Sequence, residues 1–194
     1  MIYIIRHGET RKNKEKLLQG RSNDPLNEAG IRQAEEARDF FKDRGVHFKK
    51  VYTSPLVRAV RTAEIIAGGA AEITADDRLL EMDYGPYEGT SLEPPAPEVL
   101  YFFMDFVNHP APEGMESLES VTGRLGEFLE EIREEAAGGG DILISTHAIA
   151  MKGALEYLTP DSKGSYWSKY IGNCGIYQIG MRDGEYEVPF EIRA

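Results

Sequence analysis

The chain contains a single cysteine, Cys174, among its 194 residues. One cysteine cannot form an internal disulfide, which excludes the small disulfide-stapled folds and favours a reducing compartment. The start of the chain also lacks the basic segment and apolar stretch of a secretory signal peptide. We therefore expect a cytoplasmic protein that is stabilised by its own apolar core.

Long apolar runs are missing as well. No stretch approaches the roughly 18 consecutive apolar residues of a membrane span, because arginine, glycine and acidic residues interrupt every candidate. Positive charge is scarce: 22 Lys and Arg residues stand against 33 Asp and Glu, which gives a net charge of −11. Such a charge opposes binding to the phosphates of nucleic acids and anionic membranes. The sequence predicts a soluble protein with neither as a partner.

Metal-binding motifs are absent from the sequence. The four histidines are His7, His47, His109 and His147, and none belongs to a close pair such as H-x-H or H-E-x-x-H. We expect His47 and His109 to be exposed residues without a catalytic role. We also expect no metal and no other cofactor.

The sequence begins with a short apolar segment that is followed directly by basic residues. Residues 2–5 are β-branched or aromatic, too few for a helix, and typical of a strand buried on both faces of a parallel sheet. Arg6, His7 and Gly8 follow directly. Ligands of open α/β sheets bind at the carboxyl ends of strands, so this basic pair falls where chemistry commonly takes place. A polar loop without function is the alternative for any single tip of this kind.

Strands and helices alternate along the rest of the chain. Asn27 is a good N-cap, and apolar residues recur at helical spacing from 29 to 44. Residues 51–53 are predicted as a strand, with Ser54 capping the next helix and Pro55 at its first position. The other predicted elements are strands at 72–74 and 141–146, helices at 121–137 and 148–158, and a hairpin at 176–181 and 185–190 that turns at Asp183-Gly184. This alternation implies one domain, residues 1–194, built as a three-layer α/β/α sandwich around a mostly parallel sheet.

Residues 82–118 differ in composition from their surroundings. Prolines flank a group of aromatic residues there; the two sets are Pro94, Pro95, Pro97, Pro110, Pro112 and Tyr101, Phe102, Phe103, Phe106. We interpret the segment as a small helical lid inserted into the domain. Its apolar side chains either wall a substrate pocket or form the core of the lid itself.

Three predicted strand ends bring basic residues to one edge of the sheet. They carry Arg6 with His7, Arg58 one turn into the helix after Ser54, and His147. Together with helix-terminal N–H groups, two arginines and a protonated His147 can match the oxygens of a phosphate. Salt screens charges beyond about 8 Å, so a tight cationic pocket is compatible with an acidic chain. The further arginines, Arg61 and Arg78, are interpreted as surface residues in ion pairs.

Four motifs, in chain order and over essentially the whole chain, resemble those of the histidine phosphatase superfamily, the phosphoglycerate mutase-like proteins. They are R-H-G-E-T at 6–10 with Asn13, Gln19-Gly20, Pro25-Leu26 and Gly30; S-P-L-x-R-A at 54–59 with Thr62-Ala63; L-E-x-x-x-G-x-x-E-G at 80–89; and S-T-H at 145–147. Two positions depart from the family's pattern. Ala148 stands where Gly is common, and Arg61 where Gln is frequent.

The resemblance implies a role for each motif. His7 is the nucleophile and becomes a phosphohistidine that water hydrolyses, while Arg6, Arg58 and His147 neutralise the charge of the phosphoryl group. A neutral imidazole suits this role if its other nitrogen donates a hydrogen bond, for which the backbone near Gly8 is the expected acceptor.

Glu81 is implied as the acid that protonates the leaving oxygen and later activates water. A salt-bridged loop carboxylate is the alternative for Glu81, and Glu88 is a second candidate for its role. The residues implied to bind substrate or phosphate are Asn13, Gln19, Gly20 and Ala148. No metal is required by this chemistry.

Several functions remain open at this point. A phosphomonoesterase acting on a small phosphorylated metabolite is favoured, because related phosphoglycerate mutases are typically longer and carry a larger insertion. A mutase and a phosphohistidine protein phosphatase are the alternatives within the family. A noncatalytic module that binds phosphorylated ligands fits less well, since both His7 and Glu81 are present. The expected partner is a small phosphomonoester. The sequence leaves open whether the protein forms a homodimer.

Overall fold

The computed structural model describes residues 1–69 and 71–193. Within these residues the strands are β1 Ile2–Arg6, β2 Phe48–Thr53, β3 Ile73–Ala75, β4 Asp141–Thr146, β5 Ile176–Ile179, β6 Met181–Arg182, β7 Glu185–Tyr186 and β8 Phe190–Arg193. The helices are α1 Arg11–Lys14, α2 Glu28–Asp43, α3 Val57–Ala67, α4 Pro97–Met104, α5 Leu118–Ala137 and α6 Ala148–Leu158.

Six of these strands form one sheet in the order β3-β2-β4-β1-β5-β8. The first four pair in parallel, β5 runs antiparallel to β1, and β8 runs antiparallel to β5. The sheet is therefore mostly parallel, as predicted. Because the central strands β1 and β4 are covered on both faces, residues 2–5 and 142–144 are apolar without alternation.

Two apolar cores lie on opposite faces of the sheet. On β1, Ile2 and Ile4 pack into a cluster with the buried sides of α5 and α6. The alternate residues, Tyr3 and Ile5, pack into a second cluster with α2 and α3. Since successive side chains of a strand point to opposite faces, one buried strand serves both cores. This arrangement confirms the predicted three-layer α/β/α architecture.

The predicted helix start at Ser54 was wrong. Helix α3 begins at Val57, and its N-cap is Leu56, whose side chain makes no cap hydrogen bond. Arg58 is consequently the second residue of the helix rather than one turn inside it. The Ser54 hydroxyl is used elsewhere: it accepts the Leu56 N–H at 3.3 Å and contacts His147 at 2.8 Å. The Ser54 hydroxyl therefore contacts His147, which follows another strand, and does not cap α3.

The predicted hairpin exists, but it is divided into two parts. The turn at Asp183-Gly184 has the expected positive φ angles of 54° and 81° and joins β6 to β7. The pairing is then interrupted beside Gly180, and it resumes where β5 meets β8 in the main sheet. At the interruption the backbone is drawn together by the Glu187 N–H, which donates to the Gly180 carbonyl at 2.9 Å.

The segment at 82–118 contains a 3₁₀ turn, Gly85–Tyr87, and helix α4. Val99 and Phe102 of α4 are buried in the cluster that holds α5 and α6, whereas Tyr101 and Met104 are exposed. Part of the aromatic group is thus core. Its role as a lid, and the single domain at 1–194, stay predictions; Ala70 and Ala194 lie outside the described residues.

No helix within residues 1–69 or 71–193 is both long enough and apolar enough to cross a membrane. The cytoplasmic location inferred from the single cysteine stays a prediction.

Two glycines set the distance between the loop after β1 and the first turn of α2. A Cβ atom at Gly8 would lie 2.4 Å from the Gly30 carbonyl oxygen, and one at Gly30 would lie 2.1 Å from the Glu9 carbonyl oxygen. Both neighbours are backbone atoms, so no side-chain rotation relieves either contact. The close approach fixes the loop that carries His7 against α2.

We expect Gly30→Ala to lower the free energy of unfolding by about 1–3 kcal/mol, because the added methyl group overlaps backbone. Urea denaturation measures the effect. Gly123→Ala is the matched control: a Cβ there meets nothing within 4 Å, and the substitution should stabilise α5 by about 0.5–1 kcal/mol. Equal effects of the two substitutions would contradict the steric argument.

Candidate active site

The carboxyl ends of β1, β4 and β2 lie side by side at one edge of the sheet. The register pairs Arg6 with Thr146 and Thr53 with Ser145. The residues that follow these three strands are His7, His147 and Ser54. The ring centroids of His7 and His147 are 5.1 Å apart. The strand ends that the sequence predicted to meet are therefore in contact.

The hydrogen bonds of His7 fix its tautomer. Nδ1 lies 2.7 Å from the Gly8 carbonyl oxygen, which can only accept, so Nδ1 carries the proton. Nε2 accepts the Nε–H of Arg58 at 3.1 Å and therefore bears the lone pair. Burial and the guanidinium groups of Arg58 and Arg6 hold the pKa of His7 well below its ordinary value. His7 is a neutral imidazole with a nucleophilic Nε2.

Arg58 is completely buried and uses its guanidinium in three directions. Besides its bond to His7, it donates to the carbonyl oxygens of Ser22 at 2.6 Å and Gly20 at 2.7 Å. Burial lowers the pKa of Arg58 to about 10, and the negative charge of Glu81 opposes this effect. Arg58 remains a cation at neutral pH, held by carbonyl dipoles.

Arg6 supplies a second cation, and this one is half-buried. Its terminal nitrogen donates to the Ile171 carbonyl oxygen at 2.7 Å. Its Nε is buried and has no hydrogen-bond partner within the described residues. Burial lowers the pKa of Arg6, and Glu81 again opposes this effect. An unsatisfied buried N–H on a cation is a donor suited to an anionic ligand.

His147 differs from the expectation of a protonated ring. Burial, Arg58 and His7 hold its pKa well below the ordinary value, so the imidazole is neutral. Nε2 shares a hydrogen bond of 2.8 Å with the Ser54 hydroxyl, and the buried Nδ1 has no partner in the described chain. When the Ser54 hydroxyl donates to Nε2, Nδ1 carries the proton and offers a neutral donor.

Glu81 lies at the amino-terminal end of α6. Its Oε1 accepts the N–H groups of Met82 at 2.9 Å and Ala150 at 3.0 Å, and its Oε2 accepts that of Ile149 at 3.2 Å. These contacts are with backbone donors, unlike the salt bridge considered as the alternative. The helix terminus thereby anchors a carboxyl group close to the cations Arg6 and Arg58.

Two of the predicted binding residues, Asn13 and Gln19, belong to one hydrogen-bond network. Asn13 donates to Gln19 Oε1 at 3.3 Å, and the same oxygen accepts the Thr10 hydroxyl at 2.8 Å. Gly20 contributes its carbonyl oxygen to Arg58. Ala148 is the first residue of α6 and lines a cavity together with Arg6. The structure brings all four to the same edge; their contact with a phosphate stays a prediction.

Asn173 is a site residue that the sequence did not reveal. Its side-chain amide donates to the His7 carbonyl oxygen at 3.0 Å and to Asn13 Oδ1 at 3.2 Å. It lies in an irregular stretch 166 residues after His7, and no spacing pattern marks it. The sequence analysis also did not single out Lys152, which is buried one turn after Ala148 on α6. Residues four apart lie on the same face of a helix, so the position of Ala148 could have pointed to Lys152.

Glu88 has a supporting position. Its Oε2 accepts the backbone N–H groups of Gly20 at 2.9 Å and Arg21 at 3.2 Å, which holds the loop that serves Arg58.

The residues interpreted as bystanders lie where they were expected. Arg61 pairs with Glu64, and Arg78 pairs with Asp76 and Glu131. His47 and His109 are exposed. Across residues 1–69 and 71–193, no three His, Cys, Asp or Glu side chains are grouped as metal ligands.

Comparison with known proteins gives consistent matches over the chain. A family model described as the histidine phosphatase superfamily (branch 1) matches residues 2–190. A Hydrogenobacter thermophilus protein named "Putative phosphoserine phosphatase 2" is 31% identical over 190 residues, which cover 95% of this chain and 90% of that protein. An Escherichia coli O1:K1 / APEC protein named "Probable phosphoglycerate mutase GpmB" is 34% identical over 187 residues, 94% of this chain and 85% of that protein.

Among solved structures, a mutant phosphoserine phosphatase from Entamoeba histolytica in complex with phosphoserine superposes with a TM-score of 0.82. The two sequences are 26% identical, and the match covers 98% of this chain and 94% of the other.

We expect the rings of His7 and His147 to stay neutral between about pH 7.5 and pH 6, because burial and Arg58 lower both pKa values. Ring ¹⁵N chemical shifts, assigned with single-histidine variants, measure the protonation state. Both rings bind protons only after unfolding, so they should make the free energy of unfolding decrease as the pH falls below about 6.5. Titration of His7 near pH 6.5 in the folded protein would contradict the assignment.

Proposed function

The chain belongs to the histidine phosphatase superfamily, and from this membership we propose that it hydrolyses a small phosphorylated metabolite through a phosphohistidine intermediate. Membership confirms the resemblance carried by the four sequence motifs. The observation that carries the proposal is the state of His7, a neutral ring whose Nε2 lone pair meets the buried guanidinium of Arg58. A nucleophile beside a fixed cation is what transfer of an anionic phosphoryl group needs.

In the first step, His7 Nε2 attacks phosphorus and forms a P–N bond. The P–O bond to the organic part breaks at the same time, and the leaving oxygen takes a proton from Glu81, which the monoanionic substrate has passed to the Glu81 carboxylate on binding. The Gly8 carbonyl oxygen continues to accept the Nδ1–H, so it stabilises the positive charge that develops on the ring. The products are phosphohistidine, an alcohol and the Glu81 carboxylate.

The charge of the phosphoryl group is balanced by donors from three strand ends. Arg58 and Arg6 bring full positive charges, and His147 adds a neutral donor at Nδ1. Their positions are set by backbone carbonyls and by Ser54 rather than by flexible partners. Preorganised donors of this kind lower the barrier because they need no rearrangement as charge develops.

In the second step, the Glu81 carboxylate takes a proton from water, which attacks phosphorus. The P–N bond breaks, the electron pair returns to His7 Nε2, and inorganic phosphate leaves. Glu81 passes this proton to the departing phosphate and is again a carboxylate, so the cycle closes with atoms and charges balanced.

A phosphoglycerate mutase is the second candidate, because a relative with 34% identity carries that name. The two reactions share the phosphohistidine and differ in the acceptor of the phosphoryl group. Release of inorganic phosphate with no isomerisation of phosphoglycerate supports hydrolysis, and the reverse result supports the mutase.

The decisive measurement is phosphate release from a panel of phosphomonoesters with EDTA present. We expect hydrolysis in EDTA, and we expect His7→Ala to abolish both hydrolysis and the ³²P-labelled, acid-labile phosphoprotein. His109→Ala, at an exposed histidine, is the control that should retain both. Unchanged hydrolysis by a folded His7→Ala protein would disprove the nucleophile assignment.

We expect Glu81→Gln to lower kcat/KM for an alkyl phosphate by about 10²–10⁴-fold, since the leaving alkoxide loses its proton donor. The loss should be much smaller for p-nitrophenyl phosphate, whose leaving group needs no proton. Glutamine keeps one oxygen for the N–H groups of α6, and thermal unfolding checks that the helix terminus is intact. Equal losses for both substrates would rule out general acid catalysis by Glu81.

A further inference from the structure

Lys152 is a buried cation for which the proposed mechanism has no use. Its side chain lies on α6, and the residue is only 8% exposed. Lysines are rarely buried without a partner of opposite charge, because removing an ammonium group from water is costly. A lysine in this position therefore needs an explanation.

Within the described residues, Lys152 forms no salt bridge with a carboxylate. Nζ donates to the Trp167 carbonyl oxygen at 2.7 Å and lies 5.1 Å from the centroid of the Phe106 ring. An ammonium group has three N–H donors, and within the described residues only this one hydrogen bond is formed. Burial lowers its pKa to about 8, opposed by the charge of Glu81.

Lys152 also lines a cavity that adjoins the candidate phosphate site. The cavity has a volume of about 420 Å³, and its lining includes Arg6 and Ala148 next to Lys152. Its other walls include the aromatic rings of Phe103, Phe106 and Trp167. Arg6 is shared between this cavity and the site around His7, so the cavity is a space next to the candidate phosphate site that an organic group can fill.

We propose that Lys152 binds a carboxylate on the organic part of the substrate, so that the preferred substrates are phosphomonoesters with a carboxylate near the phosphate. This inference rests on the proposed phosphatase function. The cavity is also lined by Lys169, which is exposed to solvent, so Lys152 supplies the one buried ammonium group of its described lining. One buried ammonium group balances one negative charge, which favours a carboxylate over a second phosphate dianion. The free N–H donors of Nζ supply charge-assisted hydrogen bonds to the carboxylate oxygens.

Phosphoserine and phosphoethanolamine form a matched substrate pair, because they differ only in the carboxylate. The native protein should have the higher kcat/KM for phosphoserine. Lys152→Gln keeps a donor for the Trp167 carbonyl oxygen but removes the charge. It should lower kcat/KM for phosphoserine by about 10–100-fold, mainly through KM, and change that for phosphoethanolamine by no more than about twofold. Lys152→Arg should restore most of the preference.

Lys42→Met is the control for loss of a positive charge, since Lys42 is exposed on α2. It should leave both substrates unaffected. Lys152→Met is a second uncharged variant in case the glutamine variant does not fold, and thermal unfolding monitors both.

Three results would overturn the proposal. Equal losses for both substrates would make Lys152 a structural residue, and no loss for either would place the carboxylate elsewhere. A native protein that prefers phosphoethanolamine would also exclude the carboxylate subsite. If the native protein hydrolyses no phosphomonoester at all, the phosphatase function itself fails, a result distinct from hydrolysis without discrimination.

Discussion

The buried guanidinium of Arg58 is the constraint on which the architecture of the site depends. A cation that is buried away from solvent needs hydrogen-bond acceptors around it. For Arg58 these are the carbonyl oxygens of Gly20 and Ser22 and the Nε2 of His7. Residues 20–22 must therefore lie over the start of the helix that carries Arg58. The Glu88 carboxylate accepts two backbone N–H groups of this loop. A residue of the third sequence motif thus helps to hold Arg58, which belongs to the second motif.

The chain is acidic as a whole, but the candidate site is cationic. These two charges act on a ligand over different distances. The net charge of −11 is a property of the whole surface. Arg58 is buried and Arg6 is half-buried at one edge of the sheet, where solvent screens their charges less than on the open surface. Glu81 is the carboxylate that acts most strongly on both, and α6 fixes it by its amino-terminal N–H groups. Local charge therefore decides which ligands the site accepts.

Much of the fold and of the candidate site could be predicted, because the relevant signals are local in the sequence. The apolar runs of β1 and β4, the Asn27 cap of α2 and the His147 strand end all depend on neighbouring residues. The misses arise from distant partners. The Ser54 hydroxyl contacts His147, which follows another strand, and Asn173 reaches His7 from an irregular stretch. No residue-type pattern contains these two contacts. Helical spacing from Ala148 places Lys152 on the same side of α6, but it does not reveal the hydrogen bond to a carbonyl 15 residues away.

The hydrogen bond between Arg58 Nε and His7 Nε2 has a thermodynamic consequence for the proposed reaction. The lone pair that attacks phosphorus is the one that accepts this bond. In the proposed reaction, an oxygen of the bound phosphate replaces His7 Nε2 as the acceptor of this N–H, so that one acceptor is exchanged for another. The proposal then conserves the number of hydrogen bonds made by the guanidinium, and the binding of the phosphate frees the lone pair of the nucleophile. Ligand entry and activation of His7 are then a single event.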